Sequence, residues 1–206
     1  FINNKAPAGG AIYMVSSKQN SYIKNSTFKF NISENGMIAL ITTKIKVEKM
    51  TVAHNFDKIV LVSSYLTCTE CIFSDQESTN TAFISLANNS EASFTYVSFI
   101  RGTALSNGGA VYIADSSANF TNCEGNNLKS GGRGGFVWMQ GTSKVIIRDS
   151  VFQDISCFEK GSLVYSSSGS IRLENSTLHN FNGTALYLET AQKVEAISSA
   201  FSYGYG

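Results

Sequence analysis

Apolar residues occur along this chain in short blocks that alternate with polar residues, and the blocks recur at nearly constant spacing. Three blocks follow a glycine pair and match in residue type, position by position: Gly9–Met14, Gly108–Ile113 and Gly134–Met139. Five weaker copies lie between and after them. The matching residues of the eight blocks are 22 to 27 residues apart and are Ile12, Ile38, Val60, Ile84, Val111, Val137, Val164 and Leu186. Such a period indicates a repeat architecture.

A second pattern inside each unit predicts the fold class. Small or apolar residues stand at relative positions 0, 2, 5 and 7, as in Val145, Ile147, Ser150 and Phe152. Side chains that alternate, skip by three and alternate again indicate a strand, a bend and another strand, and no segment has helical periodicity. Three short strands in about 25 residues predict one turn of a right-handed, single-stranded parallel β-helix. Eight units predict an all-β solenoid of about eight coils, roughly 38 Å long.

Other repeat folds fit the pattern less well. Leucine-rich repeats have a similar period, but their Leu-x-x-Leu-x-Leu signature is absent here. Propeller blades need about 40–50 residues each. Phe1 stands ahead of Gly9 much as Phe99 stands ahead of Gly108, so the sequence starts in the last third of a repeat unit. Phe201, near the other end, occupies the same position of the repeat. We therefore expect residues 1–206 to form one continuous segment of a longer β-helix, uncapped at both ends.

Composition narrows the function classes. The chain has 206 residues and a formal net charge of +1, with only 15% charged residues, while Ser, Thr and Asn make up 62 positions. The 43% hydrophobic content excludes a disordered chain. The low net charge argues against nucleic acid as a partner. No apolar stretch is long enough to predict membrane insertion by a helix. One proline indicates that Gly, Asn and Ser make the turns.

Two short motifs carry a family resemblance. Gly-Gly-Ala-(Ile/Val) occurs at Gly9–Ile12 and Gly108–Val111, and Phe-x-x-Asn occurs at Phe1–Asn4 and Phe28–Asn31. These motifs resemble the repeats of chlamydial polymorphic membrane proteins and related adhesin-like β-helix surface proteins. The resemblance implies a secreted β-helical stalk, extracellular or displayed at the cell surface, with a structural or adhesive role. Assembly into fibres or a surface coat is a further expectation for such a segment. Most coils of this chain lack the second motif.

Six Asn-x-Ser/Thr sequons make the chain a candidate glycoprotein. Their number only slightly exceeds what the composition predicts, so the alternative is that they are ordinary turn and strand-surface amides. In the repeat, Asn25 and Asn175 are equivalent, Asn119 faces outward, and Asn88 lies on a turn. The acceptor residues are Asn25, Asn31, Asn88, Asn119, Asn175 and Asn182.

The first strand of each coil is apolar on both faces, which predicts a covered surface. The outward column reads Tyr13, Ala39, Leu61, Ser85, Tyr112, Trp138, Tyr165 and Tyr187, and its last four members are expected to stack as an exposed aromatic ladder. A neighbouring column reads Ala11, Met37, Ile59, Phe83, Ala110, Phe136, Leu163 and Ala185. Three readings stay open: self-association or binding of other surface proteins, a carbohydrate stacking on the rings, and cross-strand pairing that binds nothing.

The four cysteines carry less information. Cys68, Cys71 and Cys123 are expected to point inward, where a small apolar side chain fits. Cys68 and Cys71 are a candidate disulfide across the bend, or a reduced pair. Cys157 has no obvious partner. Without a second Cys pair or a flanking His, the sequence predicts no metal site, and nothing in it calls for a cofactor.

An enzymatic reading needs clustered carboxylates. The acidic residues are scattered, and the densest charged group comprises Lys144, Arg148, Asp149, Asp154, Arg172 and Glu174. Solvated charges on a strand surface are the default explanation of that group. The sequence thus favours a structural or adhesive protein that is not an enzyme; the alternative is a carbohydrate-binding or polysaccharide-cleaving β-helix of the pectin-lyase-like type.

Overall fold

The computed structural model describes residues 1–16 and 20–205, and every regular element in that part of the chain is a β-strand. The strands, numbered in chain order, are β1 Lys5–Ala6, β2 Ile12–Val15, β3 Ser21–Lys29, β4 Ile32–Ser33, β5 Ile38–Ile41, β6 Lys44–Ala53, β7 Ile59–Val62, β8 Tyr65–Thr69, β9 Ile72–Ser78, β10 Ile84–Ala87, β11 Glu91–Thr95, β12 Ser98–Ala104, β13 Val111–Ala114, β14 Ser117–Thr121, β15 Glu124–Ser130, β16 Val137–Gln140, β17 Lys144–Arg148, β18 Val151–Cys157, β19 Val164–Glu174, β20 Thr177–Asn182, β21 Leu186–Ile197 and β22 Ala200–Tyr205.

The strands pair in parallel, each with its equivalent in the next coil. They stack as a β-solenoid of about seven turns of about 26 residues, which confirms the fold class expected from the repeat. The first face contains β2, β5, β7, β10, β13, β16 and the starts of β19 and β21. The second face contains β8, β11, β14, β17, the starts of β3 and β6, and the ends of β19 and β21. The third face contains β9, β12, β15, β18, β20, β22 and the ends of β3 and β6.

The bend between the second and third faces is built the same way in every coil. One residue there has a left-handed backbone, with φ between 47° and 55°. Asn and Asp tolerate this conformation better than other non-glycine residues, at a cost of about 1–2 kcal/mol each. The bend accounts for the three-residue skip in the sequence pattern. Its members are Asn25, Lys49, Glu70, Tyr96, Asn122, Asp149, Asn175 and Ser198.

The interior is a continuous stack of buried apolar side chains. Phe73 lies flat on Phe99 with ring centroids 5.3 Å apart, and Phe94 lies flat on Phe120 at 5.0 Å. Phe136 closes this aromatic cluster by edge contacts with Phe99 and Phe120. Because each ring buries its area against rings of neighbouring coils, the coils stabilise one another cooperatively.

The register expected around Val60 is wrong by one residue. Ile59, not Val60, pairs with Ile38 in the preceding coil and with Ile84 in the following one. Consequently Val60 occupies the outward column and is half-buried, while Leu61 points inward and is fully buried. The coil from Ile38 to Ile59 spans only 21 residues, so the average period misplaces it by one.

The neighbouring apolar column is interior rather than outward. Phe83 and Phe136 are completely buried, as are Met37 and Ala110. In several coils the cause is a backbone bend ahead of the first-face strand: the amides of Phe83 and Ile84 both donate to the carbonyl of Ala110, and those of Ala110 and Val111 both donate to the carbonyl of Phe136. Two consecutive amides that share one acceptor break the alternation, so both side chains enter the core. The first face therefore presents two outward columns, the one that contains the aromatic residues and a second one that contains Val15, Ile41, Val62 and Ala87.

Candidate functional site

The outward column of the first face carries the aromatic residues that the sequence singled out. Tyr112 pairs with Trp138 in the register, Trp138 with Tyr165, and Tyr165 with Tyr187. The rings form two stacked pairs, with centroids 4.7 Å apart in Tyr112–Trp138 and 5.6 Å apart in Tyr165–Tyr187. Tyr13 lies in the same column but is separated from the four by Ala39, Val60 and Ser85.

Two cations from the loops ahead of the first-face strands cover the Tyr165–Tyr187 pair. The Arg133 guanidinium lies 4.9 Å from the centre of the Tyr165 ring, and the Lys160 ammonium lies 4.2 Å from that of Tyr187. Each cation also donates to the phenol oxygen, at 2.8 Å for Tyr165 and 2.9 Å for Tyr187. The Arg133 Nε atom is held 2.6 Å from a carboxylate oxygen of Glu159. These contacts combine cation–π attraction with hydrogen bonding.

The expectation of four exposed rings is therefore wrong for Tyr165. This side chain is 1% exposed, whereas Tyr13 is 55% exposed and Tyr112, Trp138 and Tyr187 are half-buried. Burial, with a hydrogen bond to Glu189, raises the pKa of Tyr165 to about 12. Burial also raises the pKa of Tyr112, whose oxygen accepts from the Gln140 amide at 2.6 Å. Both phenols are neutral at physiological pH, so the column offers apolar rings and neutral hydroxyls.

Trp138 occupies the centre of the column. Its indole N–H is buried and finds no acceptor in the part of the chain that the structure describes. The ring is stacked on Tyr112 alone, since its register partner Tyr165 is turned toward Arg133. Among the four stacked rings, the Tyr112–Trp138 pair is therefore the one without a cation from the described loops on it.

The six sequons fall into two groups. Asn25, Asn88, Asn119 and Asn175 are exposed, and all four lie on the second face or at its two bends. Asn175 donates from its amide to Asp149 at 3.2 Å. Asn182 is exposed as well, at the end of a third-face strand, although its amide donates to the carbonyl of Cys157 at 2.7 Å. Asn31 is fully buried, so five of the six acceptors are accessible in the folded chain.

Asn31 belongs to a buried ladder of side-chain amides that the repeat pattern did not predict. Its carbonyl oxygen accepts from the side-chain amide of Asn4 at 2.8 Å, and its own amide donates to Asn55 at 2.9 Å. Phe1 stacks on Phe28 with centroids 4.7 Å apart. The Phe-x-x-Asn motif thus places one ring on the core stack and one amide on the ladder. The spacing of Asn4, Asn31 and Asn55 by about one coil is the signal that could have revealed it.

The structure joins Cys68 and Cys71 in a disulfide across the bend, with Cα atoms 6.3 Å apart. Cys123 and Cys157 are free and buried. Burial raises the pKa of the Cys123 thiol to about 11 and also raises that of Cys157. Neither thiol is a ready nucleophile at neutral pH.

The charged group around Asp149 is distributed over separate columns. Arg148 and Arg172 both pair with Glu174, and Arg172 reaches Glu195 at 3.2 Å. These two arginines, chiefly Arg148, hold the pKa of Glu174 below its usual range. Asp154 instead accepts from Asn180 at 3.2 Å on the third face. Lys144, Arg148 and Arg172 line one groove of about 300 Å³ together with Glu195, whereas Asp154 lies apart on the third face.

Asp149 lines a shallow groove of about 350 Å³ at the bend between the second and third faces. Tyr96, Asn122 and Glu124 share that groove. Glu124 accepts from the Ser98 hydroxyl at 2.5 Å. Two carboxylates and one exposed aromatic ring therefore face a common space.

Comparisons with known protein families, with curated proteins and with solved structures found no match. Among residues 1–16 and 20–205 no helix long and apolar enough to cross a membrane was found. Over the same residues, no three His, Cys, Asp or Glu side chains gather where they could hold a metal ion.

Proposed function

We propose that this chain is a structural and adhesive β-helical protein, exported to the cell surface, that associates with further copies of itself or with other surface proteins. The observation that carries the proposal is the half-exposed Tyr112–Trp138 pair on the first face of a solenoid with a continuous core. Aromatic side chains dominate the buried centres of protein interfaces. The resemblance to adhesin-like surface repeats points in the same direction.

The solenoid suits this work because its stability is distributed along its length. Each coil contributes apolar side chains to the common stack, and its backbone amides bond to carbonyls of neighbouring coils. A rod of this kind presents its outward columns at a fixed spacing of about 4.8 Å per coil. Partner copies that meet the first face would therefore meet a rigid aromatic surface.

Sedimentation velocity and electron microscopy of the purified chain, over a wide range of protein concentration, test the proposal. We expect concentration-dependent association that the double variant Tyr112→Ser/Trp138→Ser reduces at least tenfold in affinity. Tyr22→Ser is the matched control, since Tyr22 is 70% exposed but lies on the second face. Circular dichroism establishes that each variant folds. A chain that stays monomeric throughout, or a control that loses association equally, contradicts the proposal.

The second candidate function is binding or cleavage of a polysaccharide. The groove that Tyr96, Glu124 and Asp149 share favours it, because two carboxylates beside an aromatic ring are the groups that glycoside hydrolysis employs. A digest of a polysaccharide panel, together with a glycan array, tests this function. Products that Asp149→Ala and Glu124→Gln both abolish support cleavage, and an array signal that Trp138→Ala abolishes supports binding on the aromatic column. Absence of both signals removes this candidate.

A further inference from the structure

The short coil from Ile38 to Ile59 leaves a recess in the wall of the solenoid. The next coil, from Ile59 to Ile84, has 25 residues instead of 21, and the missing residues fall after Ala53, which pairs with Ser74 on the third face. The corresponding segments of the preceding and following coils project past residues 54–58 of the short coil. The result is a groove of about 530 Å³ that runs over four successive coils.

The floor of the groove is held rigid by a buried ion pair. Asp57 is 4% exposed, accepts from the amide of Gly36, and lies 3.2 Å from the Lys58 ammonium. The Gln76 side chain donates to the Asp57 carbonyl at 2.6 Å. Since Asp57 and Lys58 neutralise each other, the charge that the groove offers to a ligand comes from its rim.

The rim is acidic. Glu34 and Glu77 line the groove from opposite sides of the short coil, and both are exposed. Within the described residues neither carboxylate has an ion pair or a hydrogen bond, whereas Glu48, Glu70, Glu159, Glu174 and Glu195 are all paired with cations. Lys58, the one cation among the residues that line the groove in the described chain, is already paired with Asp57. The groove therefore has unpaired negative charge.

Two large apolar side chains lie at its edges. Phe56 is 66% exposed and Leu105 is 59% exposed. Leu105 donates from its amide to the carbonyl of Ser78, so it lies one coil beyond the Glu77 side of the groove. An exposed ring beside two free carboxylates favours a cation that carries an apolar stem, because the ring face and the carboxylates both attract positive charge.

We propose that this groove binds a short, extended, basic segment of a partner protein, in which Lys or Arg alternates with apolar residues. Four coils span about 14 Å, which is the length of about four residues of extended peptide. The basic side chains would pair with Glu34 and Glu77, and the apolar ones would pack on Phe56 and Leu105. The groove lies at the third-face end of the coils, apart from Tyr112 and Trp138, so this proposal stands independently of the self-association proposed above.

Fluorescence polarisation with a labelled Leu-Lys-Leu-Lys-Leu peptide, acetylated and amidated at its ends, tests the groove. We expect saturable binding that weakens at high salt, and no binding of the same peptide with Glu in place of Lys. The double variant Glu34→Gln/Glu77→Gln should weaken binding about fivefold to tenfold, and Phe56→Ser about threefold to fivefold. Glu91→Gln is the matched control, because Glu91 is an exposed carboxylate on the second face, away from the groove.

All the substituted side chains are exposed, so the variants keep the fold, which circular dichroism verifies. Spermine and a glucosamine tetramer serve as competitors that present amines without a peptide. Competition weaker than that of unlabelled peptide supports a peptide groove, whereas tighter binding of the glucosamine tetramer overturns it in favour of an amino sugar. Absence of peptide binding, or equal affinity of the double variant and the unsubstituted chain, also overturns the proposal.

Discussion

The backbone amide of Ser90 donates to the hydroxyl of Ser116, one coil further along, at 3.1 Å. Ser116 in turn donates to the carbonyl of Ala114 in its own coil at 2.8 Å. The same arrangement links Ser64 to Ser90, and a second ladder links Ser150 to Ser176 and Ser176 to Ser199. The buried bends of this solenoid are therefore joined by hydroxyl groups, which gives the high serine content a structural role.

Replacement of Ser116 by Ala tests the ladder. The variant leaves the buried amide of Ser90 without its acceptor, so the free energy of unfolding should fall by about 1–3 kcal/mol. Ser117→Ala is the control, since Ser117 is half-buried and points outward, and should change stability by about 0.5 kcal/mol or less. Urea unfolding followed by circular dichroism measures both. Equal stability of the two variants would contradict the ladder.

Asn31→Ala tests the amide ladder. The substitution leaves the Asn4 side chain without its acceptor and opens a buried space, and should lower the free energy of unfolding by about 2–4 kcal/mol. Asn25→Ala, at an exposed sequon, should cost about 1 kcal/mol or less. Thermal and urea unfolding compare the two. A larger loss for Asn25→Ala would show that Asn31 is not part of a structural network.

Leu61 and Val60 report on the register of the short coil. Leu61→Ala should lower the free energy of unfolding by about 3 kcal/mol, because Leu61 is fully buried and its removal leaves a cavity. Val60→Ala should cost about 1 kcal/mol or less, because Val60 lies in the outward column. Urea unfolding of the pair decides between the registers. The reverse order of the two losses would restore the register with Val60 inside.

The Cys123 thiol makes stability depend on alkaline pH. Its pKa is about 11 in the folded chain, against 9.0 for the free side chain. Because the folded-state pKa is raised, this contribution to stability is fully present below pH 9 and is lost as the pH rises toward 11, by about 2–3 kcal/mol in total. Urea unfolding of the unsubstituted chain and of Cys123→Ala across this range isolates the loss. Cys157 is present in both proteins, so its own titration cancels in the comparison. Parallel pH profiles of stability would contradict the assignment to Cys123.

The disulfide between Cys68 and Cys71 closes a short loop, so its entropic contribution is modest, about 2 kcal/mol. Thiol titration in denaturant should count two free thiols before reduction and four after it. Reductant should destabilise the unsubstituted chain but leave the Cys68→Ala/Cys71→Ala variant unaffected. Four free thiols before any reductant is added would show that the bond does not form.

The sequence predicted the fold class and most of the interior. The alternation of Val145 and Ile147 and the spacing from Val111 to Val137 are local signals, and the structure places all four side chains in the core. Such signals work because strand geometry alternates side chains and a solenoid repeats the same register. The aromatic column of Tyr112 to Tyr187 was predicted from the same spacing, and its members are neighbours in the register.

Only the tertiary structure decided which residues of each repeat position are exposed to solvent. Tyr165 is covered because Arg133 reaches it from a loop 32 residues earlier in the chain, and Asn31 is buried because Asn55 lies one coil beyond it. The groove beside Phe56 exists because one coil is short while its neighbours are not. The sequence by itself thus determined the period, the inward faces and the bends. The exact register, the covered rings and the groove depend on contacts between coils, which a local pattern does not specify because turn length decides what lies above each residue.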